Sequence, residues 1–514
     1  MHKEVLQMEV TNNIIDTANS INSDNNVETA KDMIASVTES IAQIEQEAEV
    51  MPLPTYSKPE ELCADMLNSI KPVDFNGLSD NPKGKANIDD KVVVCIDQLL
   101  ECCEFHNREI TIREGGYILM YNGKFWQLLS TEEAKNFLGT VAEKMGLSHT
   151  EANFFSSKEK LFKQLVSTSF QKDQKKKHTS YINFQNGTLV INHRKNTTIF
   201  REHRAKDGLK YCLSYDYDPK ADCPKFKAFL DQMLPDEEAQ YLLMEHIGRP
   251  FVKDEIPLEA ILFLIGDGLN GKSVIYQIVR GLLGEANVTN YSLEDVTKNK
   301  NYCRAKLNYK LLNYGSDIND KLDIDVFKKM ASNEPIPARD IYRSAIEMKD
   351  YACQIYNTNV FLDTNIELTD GFERRINLIL FLIKVAKEKI NIRLAEELAE
   401  EYSGIMNLAV EGIKRLMTNG KFTECQASEK FKKEFFSEAN PTTDFLETKG
   451  YVVAQTASIT LQSLYDEFKM HCEANCLQLL SCNMFSRQLR RKNIRVEKDG
   501  SRPRVVFIEK RSLA

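Results

Sequence analysis

Eight consecutive residues carry the most specific chemistry in this chain: Gly266-Asp267-Gly268-Leu269-Asn270-Gly271-Lys272-Ser273, a G-x-x-x-x-G-K-S run. Glycines let successive backbone N–H groups turn inward around a phosphate, and the positive end of a following helix adds to that pull. Lys272 can reach β- and γ-phosphates, and the Ser273 hydroxyl can ligate Mg²⁺. The context fits. Ala260 to Ile265 is an apolar run of strand length, and Val274, Ile275, Ile278, Val279 and Leu282 fall at helical spacing. The whole loop, Gly266 to Ser273, is therefore expected to hold a nucleoside triphosphate, ATP with Mg²⁺.

Three further segments supply groups that such a loop needs. Lys310 to Tyr314 is a second apolar run, followed by Gly315-Ser316-Asp317. An acid at the end of a neighbouring strand holds Mg²⁺ or polarises water, which makes Asp317 a catalytic and metal-ligating candidate beside Ser273. Tyr351 to Tyr356 is a third run, ending in Asn357-Thr358-Asn359, where an asparagine can orient the attacking water. Gly371-Phe372-Glu373-Arg374-Arg375 then precedes another apolar strand, Leu378 to Leu382. An arginine presented to a neighbouring subunit's γ-phosphate stabilises transition-state charge, so Arg374 and Arg375 are both candidates.

In order and spacing these motifs resemble the superfamily 3 helicases, in particular the phage/plasmid and poxvirus primase-helicase branch. The resemblance places the loop asparagine at Asn270, the acid at Asp317, the sensor asparagine at Asn359 with Asn357 as runner-up, and the arginine motif at Arg374-Arg375. Phe327 to Arg339 resembles the lysine and small-residue turn between them, with Ser332-Asn333 where two glycines are usual. Asp317 stands where glutamate is usual, and Glu373 where an aromatic is usual. Ser214 to Pro219 and Cys223 to Phe226 resemble the stretch before that family's ATPase; Ser403 to Asn407 and Glu411-Gly412 resemble the stretch after it. The likeness spans roughly residues 110–445. It implies an AAA+-like phosphate-loop ATPase core in a homo-oligomeric ring, expected as a hexamer. It also implies a hairpin, Ile336 to Tyr351, that grips single-stranded DNA through Arg339, Tyr342, Arg343 and Lys349, with Lys328 nearby. The expected activity is ATP-dependent DNA unwinding in the replication, at initiation, of a phage, plasmid or mobile element. Residues 1–110 show no zinc-ribbon cysteine pairs, so primer synthesis is not expected of this chain, and a primase or polymerase is the partner expected for the N-terminal region.

These groups must be positioned by several domains, because 514 residues exceed one hydrophobic core. The reading is α/β: an acidic tail at 1–50, a linker at 51–90, a mixed, largely helical N-terminal domain at 91–235, the ATPase core at 236–390, a helical extension at 391–444 and a winged-helix domain at 445–514. The tail holds ten of the 75 acids and two of the 67 basic residues, which accounts for the entire net charge of −8. Five prolines between Met51 and Gly84 mark the linker. At the other end, residues 487–511 hold ten basic residues against three acids. Two helical runs followed by a basic strand pair around Asp499-Gly500 form a winged-helix pattern with Asn483 to Lys492 as its recognition helix. Arg487, Arg490, Arg491, Arg495, Arg502 and Arg504 are its candidates for duplex DNA.

With 42% hydrophobic and 28% charged residues the composition is that of an ordinary globular chain. No apolar run is long enough for a membrane span, and the N-terminus lacks a secretory pattern. The 12 scattered cysteines read as reduced thiols in a cytoplasmic setting, that of a bacterial host. His471, Cys472, Cys476 and Cys482 match no zinc spacing and read as buried thiols of a helical subdomain. Two rival functions share the same motifs. One is an ATP-switched origin-binding initiator without processive unwinding, and the other a remodelling ATPase that does not touch nucleic acid.

Overall fold

A computed structural model describes residues 59–78, 85–105, 110–113, 117–169, 178–253, 255–298, 301–316, 322–339, 345–359, 370–386, 388, 390–438, 441–475, 477, 479–498 and 503–511. The acidic segment 1–50 lies outside the described residues, and every element below belongs to the unit Thr55–Ala514.

The chain opens with α1 (Pro59–Ser69), α2 (Ile88–Phe105), a meander of β1 (Ile110–Arg113), β2 (Tyr117–Tyr121) and β3 (Trp126–Leu129), and then α3 (Thr131–Lys144), α4 (His149–Asn153) and α5 (Phe155–Thr168). The turn before β3 forms as its sequence dictates. The Asn122 side-chain oxygen accepts the backbone N–H groups of Lys124 (3.0 Å) and Phe125 (2.9 Å), and Gly123 takes φ 98°. Ser130 and Glu133 close a capping box on α3. Leu62, Met66, Ile96, Leu99, Ile118, Leu138 and Leu161 share one buried cluster. The segment 51–90 is thus not all linker. Pro59 sits at the first position of α1, where a missing N–H costs nothing, and Leu62 and Met66 anchor that helix in the core.

A second meander, β4 (Thr179–Phe184), β5 (Gly187–Asn192) and β6 (Thr197–Arg201), turns its Ile182, Phe184, Leu189 and Ile191 toward a different cluster. That cluster is shared with α6 (Pro224–Met233), α7 (Glu237–Gly248) and the central sheet. The expected single region 91–235 therefore divides near residue 170, because the apolar faces on either side point into separate cores.

The central region runs β7 (Ile261–Ile265), α8 (Lys272–Leu283), β8 (Val288–Thr289), α9 (Leu293–Thr297), α10 (Asn301–Ala305), β9 (Leu312–Ser316), α11 (Ile324–Ala331), β10 (Ile336–Ala338), β11 (Ile346–Met348), β12 (Cys353–Thr358), α12 (Asp370–Glu373) and β13 (Ile376–Leu380). Five of these strands make a parallel sheet in the order β13-β7-β12-β9-β8. All five side chains of β7 are buried, the pattern of a strand covered on both faces. Each such aliphatic or aromatic side chain contributes roughly 1.5–3 kcal/mol. β9 and β12 start and end two residues later than the apolar runs suggest, and β13 two residues earlier. This is a mixed α/β fold built on a parallel sheet.

Two helices, α13 (Leu394–Ala399) and α14 (Tyr402–Asn419), complete the central cluster. The next, α15 (Gln426–Glu438), lies against β13, where the Lys432 ammonium reaches the Ile376 carbonyl (3.3 Å). The C-terminal region holds α16 (Pro441–Thr448), β14 (Tyr451–Val453), β15 (Ile459–Thr460), α17 (Leu461–Ala474), α18 (Cys482–Arg491), β16 (Val496–Glu497), β17 (Val505–Val506) and β18 (Ile508–Lys510). β15, β17 and β16 form a small antiparallel sheet, and Phe445, Leu464, Phe468, Phe485, Leu489 and Val506 make a core of their own. Among the described residues no helix is long and apolar enough to cross a membrane.

Candidate functional site

The glycine-rich loop springs from the middle of the sheet. Gly266 donates its N–H to the Thr358 carbonyl (3.2 Å), and Phe381 donates to the Ile265 carbonyl (2.7 Å). Gly271, at φ 84°, opens α8. A Cβ there would lie 3.1 Å from the Phe229 ring and 3.2 Å from the Met233 side chain, so α6 forms the floor of the turn. Leu269 also takes a left-handed conformation (φ 52°), and its carbonyl accepts the Val385 N–H (2.8 Å).

Inside this turn Asn270 and Lys272 are both buried. The Asn270 amide donates to the Phe381 carbonyl (3.1 Å), and its oxygen accepts from the Lys272 ammonium (3.3 Å), which also reaches the Gly266 carbonyl. Burial pulls the Lys272 ammonium below its ordinary pKa, and Asp267 partly offsets that. Its two acceptors are neutral oxygens, which an anionic phosphate outcompetes. Ser273 is exposed in the first turn of α8, as are Asp267, Gly268 and Leu269 at the loop's lip. The exposed Asp267 pairs with the exposed Lys384 (3.3 Å), an ion pair that contributes little to stability. A glycine turn at the start of a helix, a buried lysine bonded to neutral oxygens and an exposed serine fit a phosphate group and a divalent cation by donor chemistry.

Strand register aligns the other candidates. Asn357 stands opposite Leu264 on one side and Ser316 on the other, so the ends of β7, β12 and β9 form one row. Asp317 lies outside the described residues; it directly follows Ser316, the last residue of β9. The β9 end is two strand spacings from the glycine loop, roughly 10 Å. Asn359 is exposed one residue beyond β12. Asn357 has its side-chain oxygen occupied by the Tyr314 hydroxyl (3.0 Å). Tyr314, buried and held neutral by that burial, meets Tyr276 of α8 edge-on (5.1 Å, 89°). Tyr276 and Tyr314 escaped sequence reasoning, because tyrosines in apolar runs look like core.

The two arginines separate. Arg375 is buried and fully engaged within its own chain: Nε to the Ser332 hydroxyl (3.1 Å), Nη1 to the Gly371 carbonyl (2.8 Å) and Nη2 to Glu259 (2.8 Å). All three of these partners belong to its own chain. Arg374 is the exposed member, touching Glu259 at 3.3 Å. Two further buried arginines carried no motif signal. Arg249 donates to the carbonyls of Ala260, Leu258 and Ala331, and Arg304 donates to four carbonyls described below.

The expected hairpin exists as β10 and β11, paired from Ile336–Met348 to Ala338–Ile346. Arg339 and Lys349 flank that ladder and are exposed; Tyr342 and Arg343 lie outside the described residues. Lys328 is half-buried on α11, 4.0 Å from Asp325. At the hairpin root Asn333 takes φ 54°, a conformation asparagine tolerates where a glycine would otherwise stand. The flanking stretches meet in space: the Asp218 N–H donates to the Ser403 hydroxyl (2.8 Å), and the Asn407 amide donates to the Asp218 and Ala221 carbonyls (2.9 Å each).

In the C-terminal region α18 buries Phe485 and Leu489 and exposes Asn483, Arg487 and Arg490. Arg495 lies over the Phe507 ring (3.7 Å) and beside Glu497 (3.3 Å), and Arg504 is exposed before β17. The Arg491 side chain and Arg502 lie outside the described residues. His471 and Cys472 are buried, with His471 bonded to Asp444 (2.5 Å); Cys476 lies outside the described residues. One cluster of metal-ligand types occurs among the described residues, Asp236, Glu238 and Cys425. It is engaged in helix capping, with Asp236 accepting from Glu238 N–H (3.0 Å) and Glu238 from Gln426 N–H (3.0 Å).

Residues 103–235 match the family described as D5 N terminal like, and residues 264–375 match a family of unknown function, DUF5906. The first span runs across both meanders, and the second runs from the last residues of β7 to Arg375. No curated protein matches the chain. Among solved structures, the A form apo structure of the NrS-1 C terminal region superposes with a TM-score of 0.48 at 12% identity, covering 80% of this chain and 98% of that one. A second, apo structure of NrS-1 residues 305–718 gives 0.44 at 12% identity, covering 79% and 97%.

Proposed function

We propose that this chain is an ATP-dependent, ring-forming DNA helicase acting in replication of a phage, plasmid or mobile element. One observation carries the reading: the glycine-rich loop, the strand end before Asp317 and the strand end before Asn359 stand in one row, with β12 between the other two. A D5 N terminal like match over 103–235 supports the replication setting. In this reading the loop N–H groups and Lys272 hold the triphosphate, and Lys272 exchanges its two neutral acceptors for phosphate oxygens. Ser273 and Asp317 hold Mg²⁺, which neutralises developing charge when bound. Asn359 orients the attacking water. Arg374, exposed two residues before β13, serves the next subunit's γ-phosphate. Hairpin β10–β11 tracks single-stranded DNA, and the C-terminal winged-helix pattern, with α18 as recognition helix, seats on duplex DNA.

A forked duplex tests this directly. The chain with ATP and Mg²⁺ displaces a strand, and Lys272→Ala does not; intact forks with the unaltered chain would count against unwinding. The exposed basic face of α18 favours one second reading, an ATP-switched initiator that melts an origin without processive unwinding. Melting of origin DNA together with failure on long forks would select it.

A further inference from the structure

Arg304 is less than a tenth exposed, and the hydrogen bonds of its guanidinium among the described residues go to backbone carbonyls, with the Asp323 carboxylate acting on it only through its charge. Its Nε and Nη2 donate to the carbonyls ending α9: Val296 (2.9 Å), Thr297 (3.3 Å) and Lys298 (2.8 Å). Its Nη1 donates to the carbonyl of Pro337, inside hairpin strand β10 (3.0 Å). One planar fork therefore fastens the end of α9 to the hairpin. The beginning of α9 is fastened in turn to the sheet. Asn313, fully buried on β9 three residues before its end, accepts the Tyr291 N–H (2.9 Å) and donates to the Tyr291 carbonyl (3.0 Å), next to the Ser292 cap of α9. Asn313 also reaches Gln354 on β12 (3.0 Å).

A buried charge is a poor means of stabilising a fold, since an apolar side chain of similar volume is often neutral or better. What an arginine adds is directional attachment of several carbonyls at once, which a lysine point charge does not reproduce. The attached pieces are the strand leading to Asp317 and the hairpin carrying Arg339 and Lys349. We propose that Arg304 is a positioning residue that couples the nucleotide-bearing strand ends to hairpin β10–β11, so that the hairpin's grip on DNA follows the state of the nucleotide site. This rests on the helicase reading.

The test uses the full chain and Arg304→Lys. The variant keeps its ATP KM and its turnover without DNA within about twofold, while stimulation by single-stranded DNA falls roughly tenfold. Undiminished stimulation in a folded variant overturns the proposal. Should Arg304→Lys fail to fold, amide hydrogen exchange on the unaltered chain decides. Exchange at Ala338 and at Ile346 to Met348 changes when a non-hydrolysable ATP analogue binds; identical exchange with and without the analogue overturns the coupling. That arm contains no DNA, so its failure is distinguishable from failure of the helicase reading, which would show as absent DNA stimulation in the unaltered chain.

Discussion

Around the parallel sheet, Arg249 and Arg304 are buried and donate to backbone carbonyls, and Lys272 and Arg375 are buried with a carbonyl among their partners, whereas in the C-terminal region Arg487, Arg490 and Arg504 stand exposed. Cations in these two settings are suited to different work. A desolvated cation holds pieces of backbone in fixed relation, and removing it leaves acceptors unsatisfied and a cavity. An exposed cation barely touches the fold, and where it meets a nucleic-acid phosphate it releases the counterions condensed there, so its effect depends on salt. Arg374 and Arg375, adjacent in sequence, fall on opposite sides of that division.

Substitutions can break this contrast. The largest effect is expected from Lys272→Ala, which lowers ATP turnover by roughly a hundredfold or more, read by phosphate release. Next, Arg375→Ala costs about 2–4 kcal/mol of stability in urea denaturation, because Ser332, Gly371 and Glu259 lose a shared partner. Arg374→Ala leaves stability within about 0.5 kcal/mol and lowers turnover only at chain concentrations where subunits assemble. Equal stability loss in both variants would erase the distinction. For the exposed set, Arg487→Ala and Arg490→Ala each weaken duplex-DNA binding and flatten its salt dependence by about one counterion, with melting temperature and DNA-free turnover unchanged.

The smallest expected effect concerns pH. His246 is buried, stacked on Phe422 at 4.1 Å, and accepts from the Asn377 amide (2.9 Å). Burial, with Arg249 beside it, holds the imidazole well below its ordinary pKa. The folded chain then binds fewer protons than the unfolded chain as pH falls. Its contribution is complete above about 6.5, the unfolded value, and declines below it. Melting temperature should drop between pH 7 and 5, and less so in His246→Gln.

What could be read without coordinates was local. The glycine loop was legible because every part of it lies within eight residues, and the turn at Asn122-Gly123 because asparagine and glycine have few other uses there. α17 and α18 were legible from their apolar spacing. What escaped depends on partners distant in the chain. The burial of Arg375 escaped because nothing near it in sequence announces Ser332 or Glu259. Asn357 stood as runner-up to Asn359 because sequence does not show that β12 extends to Thr358, which leaves Asn357 inside the sheet against Tyr314. Pro59 read as a linker residue because a proline at the first helical position and one in a loop look alike.

ATP turnover measured with and without single-stranded DNA, beside Lys272→Ala, tests the central claim most directly. Several-fold stimulation that vanishes in the variant is the predicted result. Turnover that DNA leaves unchanged would contradict a DNA motor and bring forward an ATPase that remodels a partner other than nucleic acid.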